Sequence, residues 1–250
     1  MTNTRLKTLE RMISKAGLGS RADARRWIAA GRVGVDGKTV RNPDEWVDPE
    51  RARITFDGKS LGAGAGHIYI ALYKPTGYVT SRRDAQGRET VYELIGDVGR
   101  WVTPVGRLDR DTSGLLLMTS DTDFVERLTN PKHEVPKTYL IKAASLLSDE
   151  QLQRLRDGVQ LDDGPTRPAG VTRVRDAGKH TFLELVLREG RNRQARRMID
   201  AIGSRVLKLV RTRVGPLELG KLPIGKWRRL TAEEVRALMP GHAATPRARK

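Results

Sequence analysis

VGRLDRDTSGLLLMTSD, residues 105–121, places acidic and basic side chains on a glycine-punctuated turn between two apolar runs. Residues 101–105 and 115–118 have the apolar character of buried strands, so the polar stretch between them must form the connecting loop. Gly106 and Gly114 allow tight or left-handed backbone at the two ends of this loop. The segment therefore predicts a strand, a loop and a second strand, with charged groups presented on the loop.

Four charged side chains of this loop are the first candidates for function, because loops held between strands are common sites of binding and catalysis. They are Arg107, Asp109, Arg110 and Asp111. The alternative is structural: both aspartates cap the turn and pair with the neighbouring arginines, which is the commoner role of acidic loop residues.

The composition is that of a protein that binds a polyanion. The chain has 250 residues and a formal net charge of +17, which attracts nucleic acid over long distances in a salt-dependent way. A membrane surface is the competing polyanion, but the sequence has no strongly apolar amphipathic helix and no lipidation signal. We expect one to three domains, nucleic acid as the partner and no membrane association.

The same composition argues against several kinds of site. The chain has no cysteine, and its four histidines are scattered without metal-ligand spacing, so we expect no disulfide, no metal and no cofactor. The sequence shows no apolar stretch long enough to span a membrane and no signal-peptide pattern, which predicts a cytoplasmic protein. We expect it to act as a monomer.

Residues 1–62 predict a small unit of two helices and short strands. The apolar residues that recur at helical spacing in its first helix are Leu6, Leu9, Ile13 and Ala16. Ser20 and Asp23 have the spacing of a capping box at the start of a second helix. Asp36 and Gly37 predict a type I′ turn between two short strands.

Basic side chains recur on both predicted helices of this unit. The residues that we expect to bind nucleic acid here are Lys7, Arg11, Arg21, Arg25 and Arg26. Lys7 and Arg11 have i, i+4 spacing, as do Arg21 and Arg25, so each pair is expected on one helix face. A solvated surface is the alternative, but two cationic helix faces in one small unit fit phosphate binding better.

The stretch RLKTLERMISKAGLGSRADARRWIAAGRVGVDGKTV, residues 5–40, resembles the S4 RNA-binding domain. The resemblance implies two helices and a hairpin that bind structured RNA. Residues 61–67, LGAGAGH, are flexible by composition and mark a domain boundary. We predict the S4 domain over residues 1–62 and a linker at residues 63–67.

Strand and helix patterns are mixed beyond the linker. The predicted strands lie at residues 67–75, 137–143 and 181–187, and the predicted helices at residues 123–130, 148–158 and 192–203. Hairpin signals at Asp163-Gly164 and Ala177-Gly178 favour antiparallel pairing. We predict an α+β domain over residues 68–240 with a mixed, mainly antiparallel sheet, followed by a disordered basic tail at residues 241–250.

A second basic cluster, LREGRNRQARRM at residues 187–198, lies at a predicted strand-to-helix junction. Its arginines are Arg188, Arg191, Arg193, Arg196 and Arg197. A helix N-terminus already favours anions, and guanidinium groups add paired donors. We expect one or two of these arginines to pair with Glu189 or Asp200, and the others to bind phosphate or an active-site acid.

Three motifs in this order resemble the RsuA/RluB family of ribosomal RNA pseudouridine synthases: GRLDRDTSGLLLMTSD, the KTY of residues 137–139, and EGRNRQARRM. The order of S4 domain, linker and second domain is also that of the family. The resemblance implies that Asp109 is the catalytic aspartate, that Tyr139 stacks on the target base and that Arg196 pairs with the aspartate. Residues 211–231 resemble the RluB type, which implies 23S rather than 16S ribosomal RNA as the partner.

The implied reaction suits these residues. Pseudouridine formation breaks the N1–C1′ bond of a uridine, turns the base and rejoins it through C5, which needs no metal, redox partner or ATP. Asp109 can act as the nucleophile or as the base that removes a sugar proton, and the sequence leaves both open. Flipping the uridine costs roughly a few kcal/mol, and stacking on Tyr139 returns about 1–3 kcal/mol. The side chains expected to contact the RNA around this site are Arg107, Arg110, Lys74, Arg191 and Arg193.

Two other functions stay open at this point. A non-catalytic ribosome-assembly factor would hold RNA with its S4 domain and arginines, while Asp109 only fixed its own loop. A hydrolase would need Asp109 and Asp111 to face one substrate, although they lie close together on one turn and no second acidic motif supports them.

Overall fold

A computed structural model describes residues 6–16, 18–49, 51–60, 67–82 and 84–240. Most of the predicted linker and the whole predicted tail, residues 241–250, lie outside the described residues. The described part forms two units, one on each side of the linker. Each unit has its own sheet and its own apolar core.

The first unit packs two helices against short strands. The helices are α1 (Leu9–Lys15) and α2 (Arg21–Ala29). The strands are β1 (Lys7–Thr8), β2 (Val33–Val35), β3 (Lys38–Val40), β4 (Trp46–Val47), β5 (Ile54–Phe56) and β6 (Lys59–Ser60). An antiparallel sheet has the order β3–β2–β5–β6, and β1 pairs with β4. The helix side chains buried in the core of this unit are Leu9, Ile13, Ala24 and Ile28.

Two predicted local motifs of the first unit are confirmed. Asp23 N donates to Ser20 Oγ at 3.2 Å and Ser20 N donates to the Asp23 carboxylate at 3.1 Å, which is the capping box at the start of α2. Asp36 and Gly37 have φ angles of 50° and 83° between β2 and β3, as a type I′ turn requires.

Lys7 departs from the predicted helical stripe. It lies in β1, in register with Val47 of β4, and α1 begins only at Leu9. The strand pairing and the extended backbone of Thr8 hold this segment out of the helix. The prediction that Lys7 and Arg11 share one helix face is therefore wrong.

The second unit is built on one large sheet. Its strands are β7 (Tyr69–Lys74), β8 (Thr103–Pro104), β9 (Ser113–Thr119), β10 (Lys137–Ala143), β11 (Gln160–Leu161), β12 (Gly164–Pro165), β13 (Gly170–Ala177), β14 (His180–Leu187), β15 (Val206–Val214), β16 (Leu217–Glu218) and β17 (Trp227–Arg229). The sheet has the order β13–β14–β10–β15–β9–β7–β17, while β11 and β12 form a separate hairpin. The pairings in this order are antiparallel except for that of β9 with β15, so the predicted α+β fold is confirmed.

Helices cover both faces of the large sheet. They are α3 (Val91–Ile95), α4 (Thr122–Thr129), α5 (Asp149–Asp157), α6 (Gln194–Ala201) and α7 (Ala232–Leu238). Leu115 and Leu117 of β9 join a core with α4 and α7, whereas Leu116 and Met118 join a core with α3. Because side chains alternate across a strand, β9 is covered on both sides, which explains why it is apolar throughout.

The parallel pairing of β9 with β15 depends on a glycine. Gly114 lies beside Arg211 in register, with a φ of +114°. A Cβ atom on Gly114 would lie 2.3 Å from the carbonyl oxygen of Arg211, which no side chain can accommodate. The glycine thus lets the loop that carries Asp109 enter the sheet directly beside β15.

Arg82, in the loop after β7, connects the two units. Its Nη1 donates to the carboxylate of Asp23, a buried residue of α2. The same guanidinium lies 4.3 Å from the ring centroid of Trp101, which stacks on Tyr92 at 5.2 Å. This contact ties α2 to the second unit.

Candidate active site

A cavity of about 450 Å³ opens between the Asp109 loop, strands β10 and β15, and the start of α6. This volume lies within the usual range for small-molecule sites. Its charged and aromatic lining residues are Arg107, Asp109, Lys137, Tyr139, Glu189, Arg191, Arg193 and Arg211. The structure thus brings the motifs of three separate segments to one site.

Hydrogen bonds to backbone carbonyl groups fix the loop that carries Asp109. Thr80 Oγ1 donates to the carbonyl oxygen of Leu108 at 2.8 Å, and Thr112 N donates to that of Asp109 at 3.1 Å. Leu108 is itself buried in the apolar core with α3. The partly exposed Asp109 side chain is therefore held at the cavity wall by a well-anchored loop.

Lys74 supports this loop from below. It is fully buried, and its Nζ donates to the carbonyl oxygens of Pro75, Asp109 and Thr112 at 3.0, 3.0 and 2.9 Å. Burial lowers the pKa of Lys74 to about 8, against the opposing attraction of the Asp109 carboxylate. The prediction that Lys74 contacts RNA is wrong, because its ammonium group is enclosed by these three carbonyl groups.

The cation beside the Asp109 carboxylate is Arg193, whose Nη1 lies 3.8 Å from Asp109 Oδ2. Arg196 instead donates to the carbonyl oxygen of Asp111 at 2.9 Å, and its Nη2 lies 3.3 Å from Asp111 Oδ2. The implied pairing of Arg196 with Asp109 is therefore wrong in this structure. The reason is that Asp111, further along the same turn, occupies that guanidinium.

Asp111 is bound on both carboxylate oxygens. Arg193 Nη1 and Nη2 each donate to one oxygen at 3.0 Å, and this hydrogen bonding with Arg193 lowers the pKa of Asp111. The cavity is lined by Asp109 but not by Asp111. Asp111 therefore binds Arg193, just before α6, and Arg196 within it, and leaves Asp109 to face the cavity.

Tyr139 lies on β10, directly in register with Arg211 of β15. Its ring is partly buried against two apolar cores, one with α5 and α6 and the other with α3, and it also lines the cavity. A ring that is anchored by packing and open to the cavity presents a surface on which a flat base can stack.

Two sequence profiles match the chain. Residues 68–201 match the RNA pseudouridylate synthase family, and residues 8–51 match the S4 domain. The chain belongs to the RNA pseudouridylate synthase family. The family resemblance predicted from the motifs is thereby confirmed.

Two relatives of this synthase and one solved structure are similar along nearly their whole length. An uncharacterized RNA pseudouridine synthase of Aquifex aeolicus is 38% identical over 245 residues, which cover 97% of this chain and 98% of the relative. The ribosomal large subunit pseudouridine synthase B of Bacillus subtilis is 38% identical over 235 residues, covering 93% and 96%. A crystal structure of a pseudouridylate synthase superposes with a TM-score of 0.67 at 31% identity, covering 92% of this chain and 99% of that one.

The other predicted RNA contacts of the second unit have different surroundings. Arg107 is exposed and lines the cavity, and Arg110 is exposed with its Nε bonded to the carbonyl oxygen of Gly77 at 3.0 Å. Arg191 also lines the cavity, but its two Nη atoms donate to carbonyl oxygens of β12 at 2.9 and 2.6 Å. Arg107 is therefore better placed than Arg191 to reach RNA.

The arginines of α2 in the synthase are exposed but paired with carboxylates. Arg21 Nε donates to Glu10 at 2.8 Å and Arg25 Nη1 donates to Asp44 at 2.6 Å. Arg26 donates to Asp23, the residue that also binds Arg82. The further predicted contacts on this unit are Lys7, which is partly exposed, and Arg11, which is exposed.

Sequence reasoning missed two cations of the cavity, Lys137 and Arg211. Lys137 is the first residue of the KTY motif. Burial, and to a smaller extent repulsion from the Arg211 cation, lowers the pKa of Lys137. Arg211 is buried in β15. The signal for Arg211 was present: an arginine in the middle of a strand whose neighbours Leu209 and Val210 are apolar.

Neither a metal site nor a membrane span is found in the described part of the synthase. These residues contain no cluster of three or more His, Cys, Asp or Glu side chains that can hold a metal ion. Their helices are all too short or too polar to cross a bilayer.

Proposed function

We propose that this synthase converts a specific uridine of ribosomal RNA, in the 23S RNA of the large subunit, to pseudouridine, with Asp109 as the essential catalytic residue. The observation that carries the proposal is the cavity in which the Asp109 carboxylate and the Tyr139 ring meet among cationic side chains. The name of the Bacillus subtilis relative, a ribosomal large subunit synthase, supports the substrate class.

The geometry of the cavity supports a base-flipping reaction, which we place in the cytoplasm. A uridine within folded RNA is out of reach until it leaves its stack, so the RNA presents it to the cavity by flipping. Tyr139 stacks on the flipped base, and Arg107 at the rim contacts the RNA backbone. Asp109 then acts on the ribose, either as nucleophile at C1′ or as the base that removes a sugar proton.

Arg193 is the cation that faces the Asp109 carboxylate in this arrangement. Its guanidinium is shared between Asp109 and Asp111, so it supports the acid without neutralising it through a short paired contact. Arg196 acts one step further away, by holding the backbone and carboxylate of Asp111.

Asp109→Asn tests the proposal with little change in shape. We expect the rate of pseudouridine formation in rRNA transcripts to fall by at least about 10²–10⁴-fold, because the amide cannot serve as nucleophile or base. RNA affinity should be largely kept. The measurement is single-turnover product formation beside a binding titration. Nucleosides are separated by liquid chromatography before mass spectrometry, because uridine and pseudouridine have the same mass.

The matched control is Asp97→Asn, an aspartate of the loop after α3 that does not line the cavity. It should retain the wild-type rate. Product formation by Asp109→Asn at the wild-type rate contradicts the assignment of the catalyst.

The substrate is tested by mapping pseudouridines in rRNA from cells that lack the protein. We expect loss of a site in 23S rRNA, restored by the wild-type gene but not by Asp109→Asn. Loss of a site only in 16S rRNA would contradict the large-subunit proposal and leave the reaction intact.

A further inference from the structure

Arg211 has an unusual environment for an arginine. Only 4% of its surface is exposed, and its Nε donates to the carbonyl oxygen of Leu115 at 2.8 Å. Within the described residues, its guanidinium forms no ion pair with a carboxylate, and its side chain makes the one hydrogen bond from Nε. Its Nη atoms are not among the buried atoms without a partner, so they are donors open to the cavity. Because Arg211 lines the cavity, these free donors border space that a ligand can fill.

Its neighbours in the cavity wall are balanced differently. Arg191 pairs with Glu189 and Arg193 pairs with Asp111, so each of these guanidinium groups has a carboxylate partner. A cation held in a cavity wall without such a partner is costly unless oxygen atoms of water or of a bound ligand solvate it. The cost at Arg211 therefore indicates a site for electron-rich oxygen atoms.

The position of Arg211 selects which part of an RNA can reach it. Tyr139 and Arg211 are directly paired residues of β10 and β15, so their side chains leave the sheet on the same face. Phosphate groups belong to the continuous RNA backbone and stay near exposed side chains such as Arg107. A base stacked on Tyr139 is the part of the RNA that enters deeply enough to present oxygen atoms to Arg211.

We propose that Arg211 is a further catalytic residue: its Nη atoms bind carbonyl oxygens of the flipped uracil and stabilise the negative charge that the base acquires during the reaction. The inference rests on the proposed function, in which the flipped uridine stacks on Tyr139 and Asp109 acts on its sugar.

The charge arises from the bond changes of the isomerisation. When C1′–N1 breaks, its electron pair stays on the uracil, where N1, O2 and O4 share the negative charge. C1′ is meanwhile bonded to the Asp109 carboxylate, or is double-bonded to C2′ after Asp109 removes the C2′ proton. The turned base then forms the C1′–C5 bond, loses its C5 hydrogen as a proton and gains a proton at N1. Asp109 is restored either by leaving C1′ as C5 attacks or by returning its proton to C2′, so no oxidant or reductant is needed. A guanidinium facing O2 or O4 lowers the energy of the state in which the base is anionic.

A leaving-group experiment tests this role. Wild type, Arg211→Gln and Arg211→Lys are compared under single-turnover conditions on 16S and 23S rRNA transcripts made with uridine or with 5-fluorouridine. Fluorine withdraws electrons and stabilises the uracil anion without help from the protein. The readout is loss of the N-glycoside after digestion, since a fluorinated base cannot lose a proton from C5.

We expect Arg211→Gln to slow cleavage of uridine about 10²-fold, as removal of one donor to a developing anion does in other enzymes. Its loss on 5-fluorouridine should be less than 10-fold, and RNA affinity should change little. Arg211→Lys should show the same selectivity with a smaller loss. Should Arg211→Gln fail to fold, the lysine variant carries the comparison, because it keeps the charge and most of the side-chain volume.

Two results overturn the proposal. An equal loss on both substrates shows that Arg211 only supports the structure, and a loss confined to RNA affinity with a reduced salt dependence shows that it binds phosphate. Asp109→Asn, measured alongside, separates this inference from the proposed function. If Asp109→Asn cleaves uridine normally, or wild type modifies neither transcript, the proposed function fails, and the inference about Arg211 fails with it.

Discussion

The cations of α2 and those beneath the cavity are balanced in different ways. Arg25 pairs with the carboxylate of Asp44, and both side chains remain largely in solvent. Lys74 and Arg211 are buried, and their hydrogen bonds go to backbone carbonyl oxygens near Asp109. A carboxylate cancels the charge of its partner, whereas a carbonyl group only solvates it.

This difference assigns different tasks to the two regions. Exposed ion pairs contribute little to stability, so an arginine on α2 can exchange its carboxylate for a phosphate at small cost. A buried cation with neutral partners is fixed in place before RNA arrives and cannot rearrange cheaply. The first unit, which contains the S4 domain, is therefore suited to holding RNA reversibly. The second unit is suited to precise placement of one nucleotide.

Replacing Lys74 tests the fixed region with the largest expected effect. Lys74→Met removes the donor that holds the carbonyl oxygens of Asp109 and Thr112. A shift of about 1 Å in a catalytic group can cost about 10²-fold, so we expect a single-turnover rate lowered by that order with RNA affinity retained. Lys208→Met, at an exposed position on β15, should keep the wild-type rate. Equal rates for the two variants would show that the loop holds Asp109 without Lys74.

Stability against pH offers a second measurement on Lys74. Its pKa of about 8 in the folded protein is lower than the 10.5 of an unburied lysine. Between these values the unfolded chain binds more protons, so the free energy of unfolding should rise with pH, by up to about 3 kcal/mol, and the contribution is constant below pH 8. Urea unfolding at pH 8 and pH 10 should show this rise in the wild type and in Lys208→Met. Lys74→Met should show a smaller rise, because Lys137, whose pKa is also lowered, still contributes. Parallel curves for all three proteins contradict the lowered pKa of Lys74.

Much of the fold followed from local patterns in the sequence. The capping box of Ser20 and Asp23, the Asp36-Gly37 turn and the strand alternation each depend on neighbouring residues, and each is present. The start of α1 was predicted too early, because Leu6 continued the helical spacing while a pairing with β4 decides the backbone at Lys7. Such a pairing joins segments that are far apart in sequence.

The site was predictable as a set of segments but not as a set of contacts. The motifs carrying Asp109, Tyr139 and Arg193 do line one cavity. Which arginine contacts which aspartate depends on ångström-scale placement of two acids on one turn, and here Arg193 rather than Arg196 lies beside Asp109. The burial of Lys74 likewise follows from how β7 and the loop pack together, which its neighbours in sequence do not show.

Arg21 lies on α2 but, unlike Arg25, binds a carboxylate that is buried. The description of α2 as a region of exposed ion pairs therefore does not extend to Arg21. Glu10 is only 1% exposed, and Arg21 donates to both of its carboxylate oxygens. Arg21→Gln should therefore lower the free energy of unfolding by about 1–3 kcal/mol, since a buried acceptor loses its partner. Arg25→Gln should change it by less than about 0.5 kcal/mol, because Asp44 is returned to water. Denaturant unfolding measures both changes. Similar losses of unfolding free energy in the two variants would contradict the distinction between a buried and an exposed partner.

The Arg25→Gln substitution has the smallest effect of these variants, and we expect it on RNA binding rather than on catalysis or stability. Its ion pair has a close match elsewhere: the side chains of Arg25 and Asp44 are 46% and 61% exposed, and those of Arg213 and Glu218 are 49% and 62% exposed. If Arg25 exchanges Asp44 for a phosphate, Arg25→Gln should weaken rRNA binding several-fold and reduce the slope of log K against log salt by about 1. Arg213→Gln, which removes the same charge from an equally exposed pair outside the S4 unit, should leave the slope unchanged. Equal slopes for the two variants would mean that net charge, rather than the face of α2, holds the RNA.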